Sequence, residues 1–505
     1  MSSLRISPLW HVPDPREARP LPADAQCDVC VIGAGIAGLT TAYLLAQEGK
    51  QVILLEAKPH AVEGESLFTT AHLAWVIDDR FARVEATRGA DVAKDAAASH
   101  RSAVDLIEQI VTRETIDCQF ARVDGYLFAG KDGRETLEAE RRVLRSLHLP
   151  FEWIDRVPFP ARAPGPALRF PAQGQFHPVK YLRAIEHRLE ALGARIHTDS
   201  TATGIRGGAR CEVEVKGGRR VAASAVVVAT NNPFAAGVAM HLKVAAYLTY
   251  VIAAEVPRGT LPLALFWDTE DPYHYVRIQP GVNGDTSDYL IVGGEDHRTG
   301  QETDMGERWD RLETWARQYF PLMGVVRHRW SGEIFETPDG LGLIGLAPGS
   351  GDNVYIITGD SGMGLTHGTL GARLVADLVM GRSNPYAAAY SPSRWMPGAA
   401  RTLLQESLNS AVQYTDWLTG GDVKSVDEIP KGQGAVVRSG LTKLAVYKNQ
   451  DGLATRLSAV CPHMGCIVRW NPGEQTWDCP CHGSRFAADG AVMHGPAISN
   501  LRPAE

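Results

Sequence analysis

Four residues near the end of the chain have the types and spacing to hold a metal centre. CPHMGC (461–466) and CPCHGS (479–484) put Cys461 and His463 in one short loop and Cys479 and His482 in another, with fifteen residues between His463 and Cys479. A C-x-H…C-x-x-H pair suits a [2Fe–2S] cluster in which two thiolates hold one iron and two imidazoles hold the other. Neutral imidazoles in place of two negative ligands raise the reduction potential and localise the added electron on the histidine-bound iron. Two cysteines with two histidines also suit a tetrahedral structural zinc. Zinc leaves Cys466 and Cys481 unexplained, one in each loop and symmetrically placed. The iron–sulfur reading, which is the Rieske arrangement, is the one we carry forward.

A second constellation lies near the N-terminus. GAGIAG (33–38) fits G-x-G-x-x-G between an apolar strand pattern, CDVCVIG (27–33), and a helical one, IAGLTTAYLLAQEG (36–49). QVILLEA (51–57) reads as the next strand and ends on Glu56 and Ala57. In such a β-α-β unit Gly33 permits the tight turn and Gly35 admits a pyrophosphate to the helix N-terminus, beside Ile36 and Ala37. Gly38 lets the helix pack closely on the strand, and Glu56 accepts hydrogen bonds from the adenosine ribose. VVVATNN (226–232) and YIITGDSGMGLTHG (355–368) look like the second and third stretches that contact a flavin in FAD proteins. They add Ala229, Thr230, Gly359, Asp360, Gly362, Met363, Gly364 and Leu365 to the expected cofactor contacts, with Ala202 and, from the stretch expected near the flavin ring, Thr70, Ala71 and His72. No second glycine-rich β-α-β unit is present for a tightly bound nicotinamide.

On these motifs residues 26–390 resemble the D-amino-acid oxidase/glycine oxidase superfamily of FAD-dependent oxidoreductases. TTAHLAWVIDDRF (69–81), EDHRTG (295–300), FETPDGLGLIG (335–345) and residues 358–368 resemble the subgroup that carries a C-terminal Rieske domain. Residues 426–505 resemble the disulfide-containing Rieske domains of cytochrome bc-type complexes. That resemblance implies a Cys466–Cys481 disulfide, a Ser484 hydroxyl bonded to a bridging sulfide, and a covering loop at Gly495-Pro496-Ala497. Phe486 stands where those domains carry a tyrosine, which implies a lower cluster potential. No cysteine or histidine stands out for covalent flavin attachment, so FAD is expected to be non-covalent.

The implied fold is an α/β FAD-binding domain, Rossmann-like and of the glutathione-reductase type, with an α+β antiparallel-sheet substrate domain and a small all-β Rieske domain. The expected organisation is an N-terminal arm (1–25), the oxidoreductase (26–390), a linker helix (391–425) within which TLLQESLNSAVQYTDWL is amphipathic, and the Rieske domain (426–505). FAD-binding segments fall at about 26–80, 175–235 and 330–385, and the substrate domain mainly at 81–174 and 236–329. In this superfamily the flavin does the redox step and side chains position the substrate. His72 is a candidate for proton handling. In DPYHYVR, Tyr273, Tyr275 and Arg277 alternate along an expected strand and share a face, where Arg277 could clamp a carboxylate. His367 is a candidate from the 360–368 turn. Cys27 and Cys30 spell C-x-x-C, but residues three apart in a strand face opposite sides, so both read as core thiols.

Composition sets the remaining bounds. The 505 residues, 44% hydrophobic and 22% charged, are those of an ordinary globular protein of two or three domains. A net charge of −7 offers no electrostatic case for nucleic acid or anionic membrane. No run of about 18 apolar residues suits a membrane span, and no secretory or twin-arginine signal is apparent. A cytoplasmic enzyme is expected. It would oxidise a small amine or amino-acid-like substrate and pass electrons through the cluster to an external acceptor protein. The alternatives are a reductase driven from a ferredoxin-like donor, an O2-using oxidase with a structural Rieske domain, and a non-catalytic electron-transfer protein.

Overall fold

Residues 25–55 take the form their apolar pattern requires. The strands Ala25–Ile32 and Val52–Leu55 pair in parallel, Val29 opposite Val52 and Ile32 opposite Leu55, and Val29–Ile32 and Val52–Leu55 are buried throughout. A strand covered on both faces needs that unbroken hydrophobicity. Between them the helix Ile36–Gln47 buries almost its whole circumference, because the helices Gly364–Val379 and Pro178–Ala191 pack on it in addition to the sheet. It stops where Gly49 takes a left-handed φ of 82°.

The computed structural model describes residues 5–159, 164–234, 240, 243–281, 285–302, 304–396, 413–417 and 419–504. The first sheet runs Leu343–Leu346, Val354–Thr358, Arg219–Asn231, Ala25–Ile32, Val52–Leu55, Arg195–His197, with Ala202–Arg206 and Cys211–Val215 added antiparallel beyond Arg219–Asn231. The three central strands are parallel, so their carboxyl ends open onto one crevice. A second, ten-stranded sheet is built around the antiparallel strands Val326–Glu336, Ala245–Pro257, Ser287–Arg298 and His274–Gln279. Helix Met305–Tyr319 covers one of its faces with Trp309, Leu312 and Ala316, and the other face looks onto the crevice.

The N-terminal arm packs against the rest of the chain. Arg5–Ile6 adds a parallel edge strand beside Val326–Glu336, and Leu9, Trp10 and Leu21 are buried. The Trp10 indole donates to the Thr69 carbonyl at 2.7 Å, while Arg16 and Arg19 ion-pair with buried Glu186.

The C-terminal part holds two small antiparallel sheets. One contains Gln433–Ser439, Thr442–Lys448 and Ala454–Ser458; the other Arg469–Asn471, Thr476–Asp478, Arg485–Ala487 and Val492–His494. Most of the expected linker helix, residues 397–412 and 418, lies outside the described residues. Of its end, Tyr414 and Trp417 donate hydrogen bonds to the carbonyls of Met464 and Gly465 in the first cysteine–histidine loop.

Candidate functional site

The glycine motif forms a cradle whose shape only glycine permits. Gly33 sits at φ 104°, and a Cβ there would run into the Ala229 carbonyl. A Cβ on Gly38 would overlap the Gly33 carbonyl, which fixes the close crossing of helix and strand. Gly35 caps the helix without a side-chain bond, and no acid occupies the first turn, so the partial positive charge of the helix end is open to an anion. Glu56 closes the cradle. Its carboxylate accepts from Ala34 N at 2.7 Å and Lys58 N at 2.8 Å, and burial raises its pKa above the usual value. An open helix N-terminus beside an acid at the next strand end fits an adenosine diphosphate moiety.

The cavity that begins there, of about 450 Å³, runs to the second sheet. Of the residues expected at the cofactor, Gly33, Gly35, Ile36, Ala37, Glu56, Ala57, Thr70, His72, Ala202, Ala229, Thr230, Asp360, Gly362, Met363, Gly364 and Leu365 line it. Gly38, Ala71 and Gly359 do not line it: Gly38 acts through packing, and Gly359 faces the Thr337 methyl. Asn231 and Asn232, at the end of the VVVATNN stretch, also line it, as does the Gly495-Pro496-Ala497 loop. Lys58, Ser66, Glu333, Val492–His494 and Ile498 line it without having been singled out in the sequence, and each is brought in by the fold.

The far end is walled by Asp78, Thr249, Trp267, Tyr273 and Tyr275. His72 places Nε2 3.3 Å from the Val276 carbonyl and Nδ1 3.1 Å from Thr70 Oγ1. A carbonyl only accepts, so Nε2 carries the proton and the ring is neutral; burial, then Arg277, pushes its pKa down to about 3. Tyr275 shares a 2.8 Å hydrogen bond with Thr249, and its ring lies where a Cβ on Gly293 would be. His367 also lines the cavity, and burial holds it well below its usual value, neutral. Arg277 shares the strand face of Tyr275 but does not line the cavity. It is fully buried against Trp10 of the N-terminal arm, its guanidinium 5.4 Å from the indole ring and bonded to Gln279. Tyr273 lies just before the strand His274–Gln279, and it does reach the cavity.

The two cysteine–histidine loops are built alike. Cys461 N donates to Cys466 O at 2.8 Å and Gly465 N to Cys461 O at 3.0 Å. Cys479 N donates to Ser484 O at 2.8 Å and Gly483 N to Cys479 O at 3.1 Å. The turns present Cys461 and Cys479 as hydrogen-bonded sulfurs, 1% exposed each, with the His463 and His482 rings perpendicular at 5.1 Å. Cys466 and Cys481 form a disulfide between the loops, Cα atoms 6.4 Å apart. Two buried thiols and two imidazoles converging from paired turns fit a His2Cys2 [2Fe–2S] cluster. Cys461, Cys479, His463 and His482 would be its ligands. Ser484 Oγ accepts from Ala497 N at 3.0 Å, which ties the Gly495-Pro496-Ala497 loop over the site.

The same loop is a wall of the dinucleotide cavity. His494 Nδ1 lies 2.5 Å from Glu65 Oε1, and the Lys58 ammonium donates to Val492 O at 3.4 Å. Glu65 also accepts from Glu333 N at 2.9 Å, and burial together with Glu65 raises the Glu333 carboxyl well above its usual value. Alongside, Arg485 joins Asp478 and Glu474 of the cluster-bearing sheet to Ser331 of the larger one.

A dinucleotide cradle that opens beneath an antiparallel sheet, fused to a pair of cluster-binding loops, defines a flavoprotein oxidoreductase with a Rieske domain. Residues 28–378 match the FAD dependent oxidoreductase family and residues 420–505 the Rieske [2Fe-2S] domain. The chain belongs to that oxidoreductase family. A relative with the same span, the putative Rieske 2Fe-2S iron-sulfur protein YhfW of Bacillus subtilis (strain 168), is 30% identical over 493 residues, 95% of this chain and 94% of its own. The cytochrome b6-f complex iron-sulfur subunit of a Prochlorococcus marinus strain is 34% identical over 141 residues, 27% of this chain and 71% of the subunit. Among solved structures, glycine oxidase from Geobacillus kaustophilus superposes with a TM-score of 0.61 at 21% identity, covering 74% of this chain and 99% of its own. L-proline dehydrogenase from P. horikoshii gives 0.61 at 19%, covering 74% and 98%. The protein is therefore an FAD-dependent enzyme with a [2Fe–2S] cluster. When bound, FAD supplies a two-electron acceptor and the cluster a one-electron carrier. Among the described residues no helix is long and apolar enough to cross a membrane.

Proposed function

We propose that this enzyme oxidises a small amine or amino-acid-like substrate, and that electrons leave singly through the cluster of the same chain to an external acceptor protein. The observation that carries this reading is the shared wall: Val492–Ile498, which cover the cluster site, also line the flavin cavity. Electrons then need no diffusing carrier between the two groups. Tyr275 and His72 would orient the substrate, with His72 as a neutral hydrogen-bonding group and His367 supporting the opposite wall. Arg277 would act from behind the sheet, by holding the electrostatics of His72. The glycine oxidase and L-proline dehydrogenase likenesses support an amine-bearing substrate at the level of fold.

In this proposal the oxidoreductase spans about 26–390 and the Rieske unit about 426–505. Free thiols at Cys27, Cys30, Cys118 and Cys211 support a cytoplasmic setting. Anaerobic titration with amines and amino acids, following flavin and cluster absorbance together, tests it. Loss of both absorbances on one substrate is expected. A bleached flavin beside a cluster that stays oxidised, with rapid peroxide formation in air, would overturn the outlet role.

A further inference from the structure

The cavity end remote from the cradle has a charge that its ligand must match. Asp78 makes no hydrogen bond or ion pair to any described residue. Its carboxylate and the Tyr273 hydroxyl both stand over Gly362, where a Cβ would lie 2.5 Å from Asp78 Oδ2 and 3.7 Å from the Tyr273 oxygen. Gly362 has φ 81°, and its missing side chain makes the room that the Asp78 carboxylate occupies at the cavity wall. The Tyr273 and Tyr275 rings lie against each other on the same wall, centroids 5.5 Å apart and tilted by 36°.

The charges that face Asp78 are Asp79, Asp296, Asp360 and Glu336, all acidic. The arginines in the neighbourhood are engaged from outside the cavity: Arg80 and Arg83 act on Asp79, Arg308 on Asp296, and Arg298 on Glu336. None of these lines the cavity. Its two lysines, Lys58 and Lys216, sit at the cradle end beside Glu56 and Thr201. Arg277, the group on this strand best suited to clamp a carboxylate, lies behind the wall.

We propose that the substrate is an alkylammonium compound recognised by its positive charge, held at Asp78 beside the Tyr273 hydroxyl, with no carboxylate required. The inference rests on the amine-oxidising reading above and narrows it. A carboxylate brought here would be desolvated among acids, with no arginine among the described residues that line the cavity and its lysines at the cradle end. An ammonium gains a charge-assisted hydrogen bond to Asp78, with the Tyr273 oxygen as a second acceptor nearby. The raised carboxyl of Asp78 is the electrostatic signature of a site that lacks its cation.

The test uses the full chain loaded with flavin and cluster, kept anaerobic. Binding is read from perturbation of the flavin absorption band, and reduction from its bleaching. Butylamine and 1,4-diaminobutane are compared with glycine, L-proline and the uncharged 1-butanol. The amines should bind about tenfold or more tightly than 1-butanol and the amino acids, and Asp78→Asn should weaken them by about ten- to hundredfold with flavin content unchanged. Tyr273→Leu should weaken them too. Should Asp78→Asn lose flavin, the comparison of butylamine with 1-butanol on the unaltered protein decides alone. Equal or tighter binding of glycine or L-proline overturns the inference, as does an Asp78→Asn effect within twofold. No response to any of these ligands overturns it as well. Photochemical reduction then separates the two readings: a cluster that still follows the flavin leaves the electron-outlet role standing.

Discussion

Arg485→Met attacks the seam between the flavin cavity and the cluster. The guanidinium, in a side chain 4% exposed, bonds Asp478 at 3.1 Å, Glu474, Thr476 at 3.3 Å and Ser331 at 3.5 Å. Methionine fills much of the volume but leaves two carboxylates without their cation. Removing one partner of a buried pair costs about 3–5 kcal/mol. Asp478 keeps its bonds from Asn471 and Thr476, and Glu474 keeps that from Ser331, which argues for the lower figure. In a unit the size of the Rieske match, each kcal/mol shifts the midpoint by about 4–8 °C. The cluster absorbance should therefore be lost more than about 10 °C below the unaltered protein. Flavin-to-cluster transfer after photochemical reduction should slow in the folded variant, since Ser331 belongs to the sheet above the flavin. A second change, Asp478→Asn in the Arg485→Met background, should restore part of the stability by removing the uncompensated charge. Unaltered melting and transfer in Arg485→Met would refute the view that this network holds the two units together.

Three further outcomes follow from particular residues. The Asp78 carboxyl is pushed up to about 8 by burial and then by Asp79, Asp296, Asp360 and Glu336. An acid raised on folding binds more protons in the native than in the unfolded state between about pH 4 and 8, so its contribution to stability falls as pH rises through that window. Asp78→Asn should then raise Tm by about 2 °C or more at pH 8 and leave it nearly unchanged at pH 4, by calorimetry without substrate. Ser484→Ala removes the acceptor of Ala497 N and the hydroxyl beside Cys461, so a redox titration should find a lower cluster potential; Phe486→Tyr should move it the other way if the new hydroxyl reaches a cluster sulfur. Gly38→Val drives a side chain into the Gly33 carbonyl and should yield protein that keeps the cluster spectrum but purifies without flavin.

The two cofactor sites were legible because their residues are local. GAGIAG packs a turn, a helix start and a close crossing into six consecutive residues, and the cluster ligands occupy two short loops whose turns are set by their own glycines. The catalytic end was less legible, because sheet pairing decides which face of a strand meets the cavity. Tyr275 and Arg277 alternate as expected, yet Trp10, over 260 residues away in sequence, covers the arginine and removes it from the wall. Asp78 lies six residues beyond His72, and nothing in its local sequence marks it as lining the cavity; its place opposite Gly362 is set by contacts between distant segments. The double use of Val492–Ile498 depends on docking through His494–Glu65 and Arg485, contacts between segments hundreds of residues apart.

The claim that most needs testing is that electrons cross from flavin to cluster within one chain. Laser-flash reduction of the bound flavin, with the cluster band followed under anaerobic conditions over a tenfold range of protein concentration, measures it directly. The shared wall predicts first-order cluster reduction with a rate constant independent of concentration, absent from the flavin-free Gly38→Val protein. A rate that scales with protein concentration, or a cluster that stays oxidised beside a reduced flavin, would contradict it.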